Sequence, residues 1–506
     1  MILAAALLAT TVFSRALERV DTMDPAKSQS AYDSRAIHLV YETPLEIDYM
    51  KRPYELVPSL CELPQVSPDG LEYTLKMAGD APVGAKDVVR AIDRLRDPEN
   101  PSPGGWTMAA VKTVEAPDPR TVRITLSRRQ HVFPWMLAMS YCAVVKEDGS
   151  GTGPYRLESW WRNHEMVFAR NEDWRGWSKT AAADAAAGVR PFDKIRYLVV
   201  DDVSTRWLMF LRGEVDMLGD IARDNWSAVM DANGELHPKL REAGIRLHGG
   251  KPAIEIRYLG INQRDPVLGG EKNRKLRQAL TCAFDFQTWK SFYNNSIDRA
   301  DGPVPPAVEG YLDEPSPYRH DPEKARRLLE EAGYPGGIDP KTGRRLTITL
   351  SIGRPSQDSR EAGELLASFF ARAGVKLDLR LQTWDAFLNS VNKGDVQLFL
   401  MCWVGDYPDP ENFLQLFHSA NASPGPNHAD YKNPAFDAEY DAAMASPTKE
   451  ERNRHWAECQ RIVREDCPWI FTHVSRNFSL SGPELLNFET TDFPYGAEKH
   501  FRTPAK

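Results

Sequence analysis

The stretch from Leu346 to Trp403 constrains the fold more than any other part of this chain. It alternates apolar strand-like runs with amphipathic helix-like runs. Leu346–Ile352, Val375–Leu381 and Val396–Trp403 are the strands; Ser359–Ala373 and Asp385–Val391 are the helices, closed by Gly374 and Gly394. Links this short between strands and helices require parallel neighbouring strands and right-handed crossovers. Parallel strands place all their carboxyl ends on one sheet edge, and in open α/β sheets that edge is where ligands bind. The last strand breaks at Gly405 and reaches Asp406, and Asp409-Pro410 then supply a cap and first-turn pair for a following helix. Asp406 therefore stands between a buried strand and a helix that already has its own cap. Two readings stand at this point: a solvated turn residue, since turns are rich in Asp, or a ligand group. Arg354 lies just beyond the first strand of the run, so one cation and one anion are expected at the same edge.

Upstream, Val12–Ala16 reads as a strand and Ser28–Tyr41 as a helix with Ala31, Ile37, Val40 and Tyr41 on its apolar face. From about residue 45 to 150 short strands such as Glu72–Lys76 and Val122–Leu126 are split by Pro-rich turns. Asp87–Leu95 is a helix within this inserted subdomain. Gly151–Tyr155 is a turn cluster, Arg156–Arg170 reads as a hairpin, and Ala181–Gly188 as a surface loop or helix fragment. Lys194–Val200, Val203–Leu211 and Val215–Leu218 form one β-α-β unit; Ile254–Asn262 is a strand, and Asn273–Phe284 and Pro322–Ala332 are helices.

The 506 residues correspond to roughly three units at about 150 residues per domain. Hydrophobic and charged contents of 42% and 26% are those of a globular protein, and the net charge of −8 carries no basic stripe, which argues against nucleic acid. The six cysteines form no CxxC pattern; Cys459 and Cys467 are close enough to pair, but spacing does not decide it. No HExxH, GxSxG, P-loop or GxGxxG occurs, and the 11 His are scattered. No catalytic residue, metal site or cofactor is expected. MILAAALLATTVF has the length of an export-signal apolar core without its basic start, and no lipid-attachment Cys follows it. Residues 1–13 read as a truncated export signal.

Several segments in one order resemble the family 5 extracellular solute-binding proteins, the peptide receptors of ABC importers. They include Met23-Asp24-Pro25-Ala26, GTGPYRLESW, FDKIRYLVV, YLGINQRDPVLGGEKNRKLRQALTCAFD, HDPEKARRLLEEAGYPGG, WVGDYPDPENFLQLF and NPAFDAEYD. The resemblance implies an α/β fold of two lobes, the type II, cluster C-like periplasmic-binding-protein fold with an extra subdomain on the first lobe. Residues 14–44, 152–253 and 478–506 would form the first lobe's core, 45–151 its inserted subdomain, and 254–477 the second lobe. It further implies that Asp406, after Trp403, accepts a peptide's α-ammonium group, that Arg354 takes the α-carboxylate, and that the backbone of Cys402–Val404 bonds the peptide main chain. Trp403, Tyr41, Asn262 and Tyr431 are further candidates for the ligand site, each with core packing as the rival reading. A zwitterion is costly to bury unpaired, and arginine grips a carboxylate with two parallel bonds. Lys76–Lys86 and Lys146–Ser150 are shorter than the family's usual loops, and Cys402 stands where glycine is common. The expected partners are a short peptide and the importer's permease subunits. The expected state is a monomer exported to the periplasm or cell envelope. A sugar, an opine-like compound or a chelated metal on the same fold, and a hydrolase, are the alternatives.

Overall fold

The computed structural model describes residues 10–219, 221–231, 234–423, 425–493 and 495–505. Most of the segment read as an export signal lies outside the described residues. The chain divides into two compact units: the first runs to Gly250 and resumes at Asn477, and the second is Lys251–Arg476. The chain crosses between them inside two strands, Arg246–Pro252 and Trp469–Ser481.

In the first unit Val12–Leu17 lies between Lys194–Val199 and Met217–Leu218, parallel to both. The helix Val203–Leu211 connects those two outer strands, so the β-α-β unit encloses a third strand from the start of the chain. Glu165–Arg170 and Tyr155–Trp161 extend this sheet as an antiparallel hairpin. Residues 65–126 build a separate four-stranded antiparallel sheet, with the helix Ala85–Leu95 beside it. The alanine-rich stretch is helical, Gly176–Ala187, and Gly188 ends it in the left-handed conformation.

The helix Ala31–Val40 forms where the sequence places it, but its buried face differs. Ala31 is exposed, while Asp33 and Ser34 are buried. Asp33 is buried because its carboxylate accepts hydrogen bonds from the backbone N–H groups of Asp21 (2.8 Å), Thr22 (3.3 Å) and Gln29 (3.1 Å). A polar group fully supplied with partners can be buried at little cost. Apolar periodicity does not detect it.

The turn cluster at Gly151–Tyr155 packs onto the end of this helix. Gly153 N–H donates to the Val40 carbonyl at 2.8 Å. A Cβ on Gly151 would stand 1.9 Å from that same carbonyl oxygen, which is backbone and cannot swing aside. Gly151→Ala is therefore expected to destabilise the first unit by about 1–3 kcal/mol through overpacking. Urea unfolding checks this, and an unchanged midpoint would show that the turn yields instead.

In the second unit the strand order is Lys376–Leu381, Thr347–Ile352, Leu398–Val404, Glu255–Ile261, then the first part of Trp469–Ser481. The first three are parallel, as the alternation requires; the next two pairings are antiparallel. Leu276, Leu280, Leu366, Phe369, Phe370 and Leu398 are the heart of a single core between this sheet and its helices. All six cysteines carry free thiols, Cys459 and Cys467 included.

Candidate functional site

The edge at which the parallel strands end contains most of the residues singled out above. Ile352 stands beside Leu400 in the ladder, so Arg354 and Asp406 both leave from the same edge of the sheet. No hydrogen bond or ion pair joins their side chains among the described residues.

The Leu398–Val404 strand is asymmetrically paired. Along one side it pairs with Glu255–Ile261 over its full length. Along the other, Thr347–Ile352 covers it only as far as Leu400. Gly405 N–H donates to the Ile254 carbonyl at 2.8 Å, and Asn262 N–H to the Gln397 carbonyl at 3.0 Å. Opposed residues in an antiparallel pair alternate between bonded and non-bonded positions. The odd-numbered residues from 397 to 405 therefore bond toward Glu255–Ile261. Cys402 and Val404 turn their N–H and C=O groups the other way, where no described residue pairs with them. Val404 is 55% exposed. The chain then turns sharply at Gly405, where a Cβ would meet Ile254 at 2.6 Å.

Asp406 is held by Asn412. The Asn412 amide oxygen accepts from Trp403 Nε1 (3.0 Å) and from Asp406 N–H (3.0 Å), and its Nδ2 donates to the Asp406 carboxylate (3.2 Å). Asn412 is fully buried, so one amide fixes both the acid and the indole. The helix expected after Asp409-Pro410 is short, Glu411–Leu414, with Pro410 at its N-cap, and the Asp409 carboxylate just ahead of it accepts from Glu411 N–H at 2.9 Å. Tyr407 and Tyr440 donate to the buried Glu411 carboxylate. Burial pushes the Asp406 carboxyl up to about 6; the Asn412 amide works against that shift and the Glu411 carboxylate adds to it. Part of Asp406 still reaches solvent. A shifted acid that touches solvent at the end of a strand is a functional-site signature.

Arg354 is exposed and makes no ion pair among the described residues. It precedes Ser356, whose hydroxyl caps the 16-residue helix Gln357–Arg372. The positive end of a helix dipole therefore lies on the same side as the guanidinium, and both favour an anion.

The other candidates are placed differently. Asn262 is buried and donates to the Gly394 and Val396 carbonyls at 3.0 and 2.8 Å, which ties two strand ends together. The Tyr431 hydroxyl is buried and donates to Asp466 at 2.5 Å. Tyr41 belongs to the first unit, is partly exposed at the end of the Ala31–Val40 helix, and donates to the Gly149 carbonyl at 3.4 Å. Asn412 is the positioning residue that sequence reasoning missed. Its signal was an asparagine inside a helix, where that residue type is unfavourable without a local task. Among the described residues, no group of three or more His, Cys, Asp and Glu side chains is arranged to hold a metal ion.

The carboxyl ends of three parallel strands, with an acid and a cation beyond them, are a ligand-binding position in an α/β sheet, and the chain has the two-lobed periplasmic binding protein fold. The chain belongs to the bacterial extracellular solute-binding proteins, family 5, whose middle-region model matches residues 55–425. It is 25% identical over 527 residues to Heme-binding protein A of Haemophilus influenzae, covering 96% of this chain and 89% of that one. It is also 25% identical to Probable di/tripeptide-binding protein 5 of Pseudomonas aeruginosa, covering 89% and 87%. The periplasmic binding protein DppA of Helicobacter pylori, solved with the peptide STSA, shares the fold: TM-score 0.78, 21% identity, and 98% of both chains.

Proposed function

We propose that this protein captures short peptides outside the cytoplasmic membrane and delivers them to the permease subunits of an ABC importer. The observation that carries this reading is the open strand edge at Cys402 and Val404, with Arg354 toward one end and Asp406 at the other. A peptide laid there completes the sheet by strand addition. Its α-ammonium group meets Asp406 and its α-carboxylate meets Arg354. It therefore runs antiparallel to Leu398–Val404. The uncovered residues 401–404 span roughly 13 Å at about 3.3 Å per residue, which suits two to four peptide residues. Main-chain bonds supply affinity without reading side chains, so many sequences are accepted. Support comes from two relatives, one named for di- and tripeptides and one solved with a tetrapeptide.

The ligand leaves unchanged. Cys402, the thiol at this edge, is a poor nucleophile, because burial and the nearby Glu255 carboxylate push it well above the ordinary range. No helix among the described residues is long and apolar enough to cross a membrane, and the reading places the protein in the periplasm, as a monomer that docks on its permease.

Calorimetry with di- and tripeptides tests the reading. With its carboxyl at about 6, Asp406 is ionised at pH 7.5 and mostly protonated at pH 5. An ammonium group selects the ionised form, so affinity falls as pH drops through 6, by about tenfold across that interval. Peptide binding that ignores pH would remove Asp406 from the ammonium site. Heme binding with no peptide binding would replace the reading by the one that the Haemophilus relative's name carries.

A further inference from the structure

Arg257 lies on the middle one of three adjacent strands, opposite Cys402 on one side and His473 on the other. Directly opposed residues share a sheet face. The four side chains Glu255, Arg257, Cys402 and His473 therefore form a polar group on the same face, beside the open strand edge. Within it the bonds are unevenly spent. Arg257 donates from Nε to Glu255 Oε1 at 3.0 Å, and the Cys402 thiol points at the other Glu255 oxygen at 3.6 Å. Glu255 is thereby engaged at both oxygens and is 11% exposed as a side chain, whereas Arg257 is 44% exposed. The two terminal guanidinium nitrogens of Arg257 make no hydrogen bond among the described residues. His473 accepts from Trp289 Nε1 at 3.0 Å. Burial, reinforced by Arg257, pushes its imidazole down to about 3, so it adds no charge.

The outer edge of the Arg257 fork is thus held in place and unspent. A carboxylate fits such an edge with two parallel bonds. A strand added along Cys402 and Val404 lies two strand spacings, about 10 Å, from the Glu255–Ile261 strand. An arginine and a glutamate side chain together bridge that gap. We propose that Arg257 is a specificity residue that selects peptides carrying a side-chain carboxylate at the position alongside Cys402. This rests on the peptide reading above and adds to it a second cationic anchor beside Arg354. Peptide side chains alternate between faces, so the preference is confined to one of two adjacent peptide positions.

Calorimetry on the full chain compares Glu-Ala with Gln-Ala, and Ala-Glu with Ala-Gln. At one position the wild type is expected to favour the acid by about tenfold or more, the size of a charge-assisted hydrogen bond; at the other the pair binds alike. Arg257→Lys, which keeps the charge without the fork, reduces the preference. Glu255→Gln combined with Arg257→Met removes both charges, strands neither, and abolishes the preference for Glu over Gln peptides. Equal binding of Glu and Gln peptides at both positions by the wild type would overturn the assignment, as would a preference that survives in the double variant. Failure of all four peptides to bind would instead sink the peptide reading, and this one with it.

Discussion

Asp406→Asn is expected to weaken binding of a neutral dipeptide at least about thirtyfold while leaving the fold intact. The loss is that of truncating one partner in a hydrogen-bonded charge pair, about 2–5 kcal/mol. The opposite sign is expected for stability. Burial raises this carboxyl to about 6, above its unfolded value, so its ionisation opposes folding at neutral pH and is harmless below that range. Replacing it by a neutral amide therefore leaves stability at pH 7.5 unchanged or slightly higher. A residue whose removal costs function and no stability is one the fold carries for a ligand. Calorimetry and thermal unfolding of the same variant separate the two effects. Affinity within threefold of wild type would count against the ammonium role.

The second large effect concerns the first unit and has nothing to do with ligand. Glu498 is fully buried, and its Oε1 faces Arg15 and Arg35, each at 3.3 Å. Burial works to raise this carboxyl, but Arg35 and Arg15 outweigh it and hold it below the ordinary carboxylate range. The triad joins the first strand, the Ala31–Val40 helix and the returning C-terminal segment, positions up to 483 apart in the chain. Glu498→Gln leaves two largely buried guanidinium groups facing an amide. Breaking a buried pair in this way costs about 3–5 kcal/mol. The sign with pH follows: the contribution of Glu498 is complete above the ordinary carboxylate value and fades as pH falls through its depressed one. Urea unfolding at pH 7 reads the loss, and a change below about 1 kcal/mol would show that the two guanidinium groups do not depend on the Glu498 charge.

These two acids also mark what the sequence makes legible. The strand-helix alternation from Leu346 to Trp403 is readable because its links are short and its periods change cleanly, and its parallel register follows. Positions at strand ends follow from that register, which is why Asp406 and Arg354 stand out as sharing an edge. Glu498, Asp33 and Asn412 are not readable in this way. Each is a buried polar residue that apolar periodicity does not detect: Glu498 pairs with residues far away in the chain, whereas Asp33 and Asn412 serve groups close to them in sequence. Arg257 and Cys402 face each other across a ladder between residues far apart in sequence. That pairing becomes visible only once the strand order is known. The family resemblance offers Cys402 and Val404 as candidate backbone contacts; which way their N–H groups point depends on the pairing with Glu255–Ile261.

The most direct measurement is a crystal structure of the protein with Ala-Ala bound. The expected result is an extended dipeptide antiparallel to Leu398–Val404, its main chain bonded to Cys402 and Val404, its ammonium group on Asp406 and its carboxylate on Arg354. A dipeptide seated elsewhere, or reversed along that strand, would contradict the account.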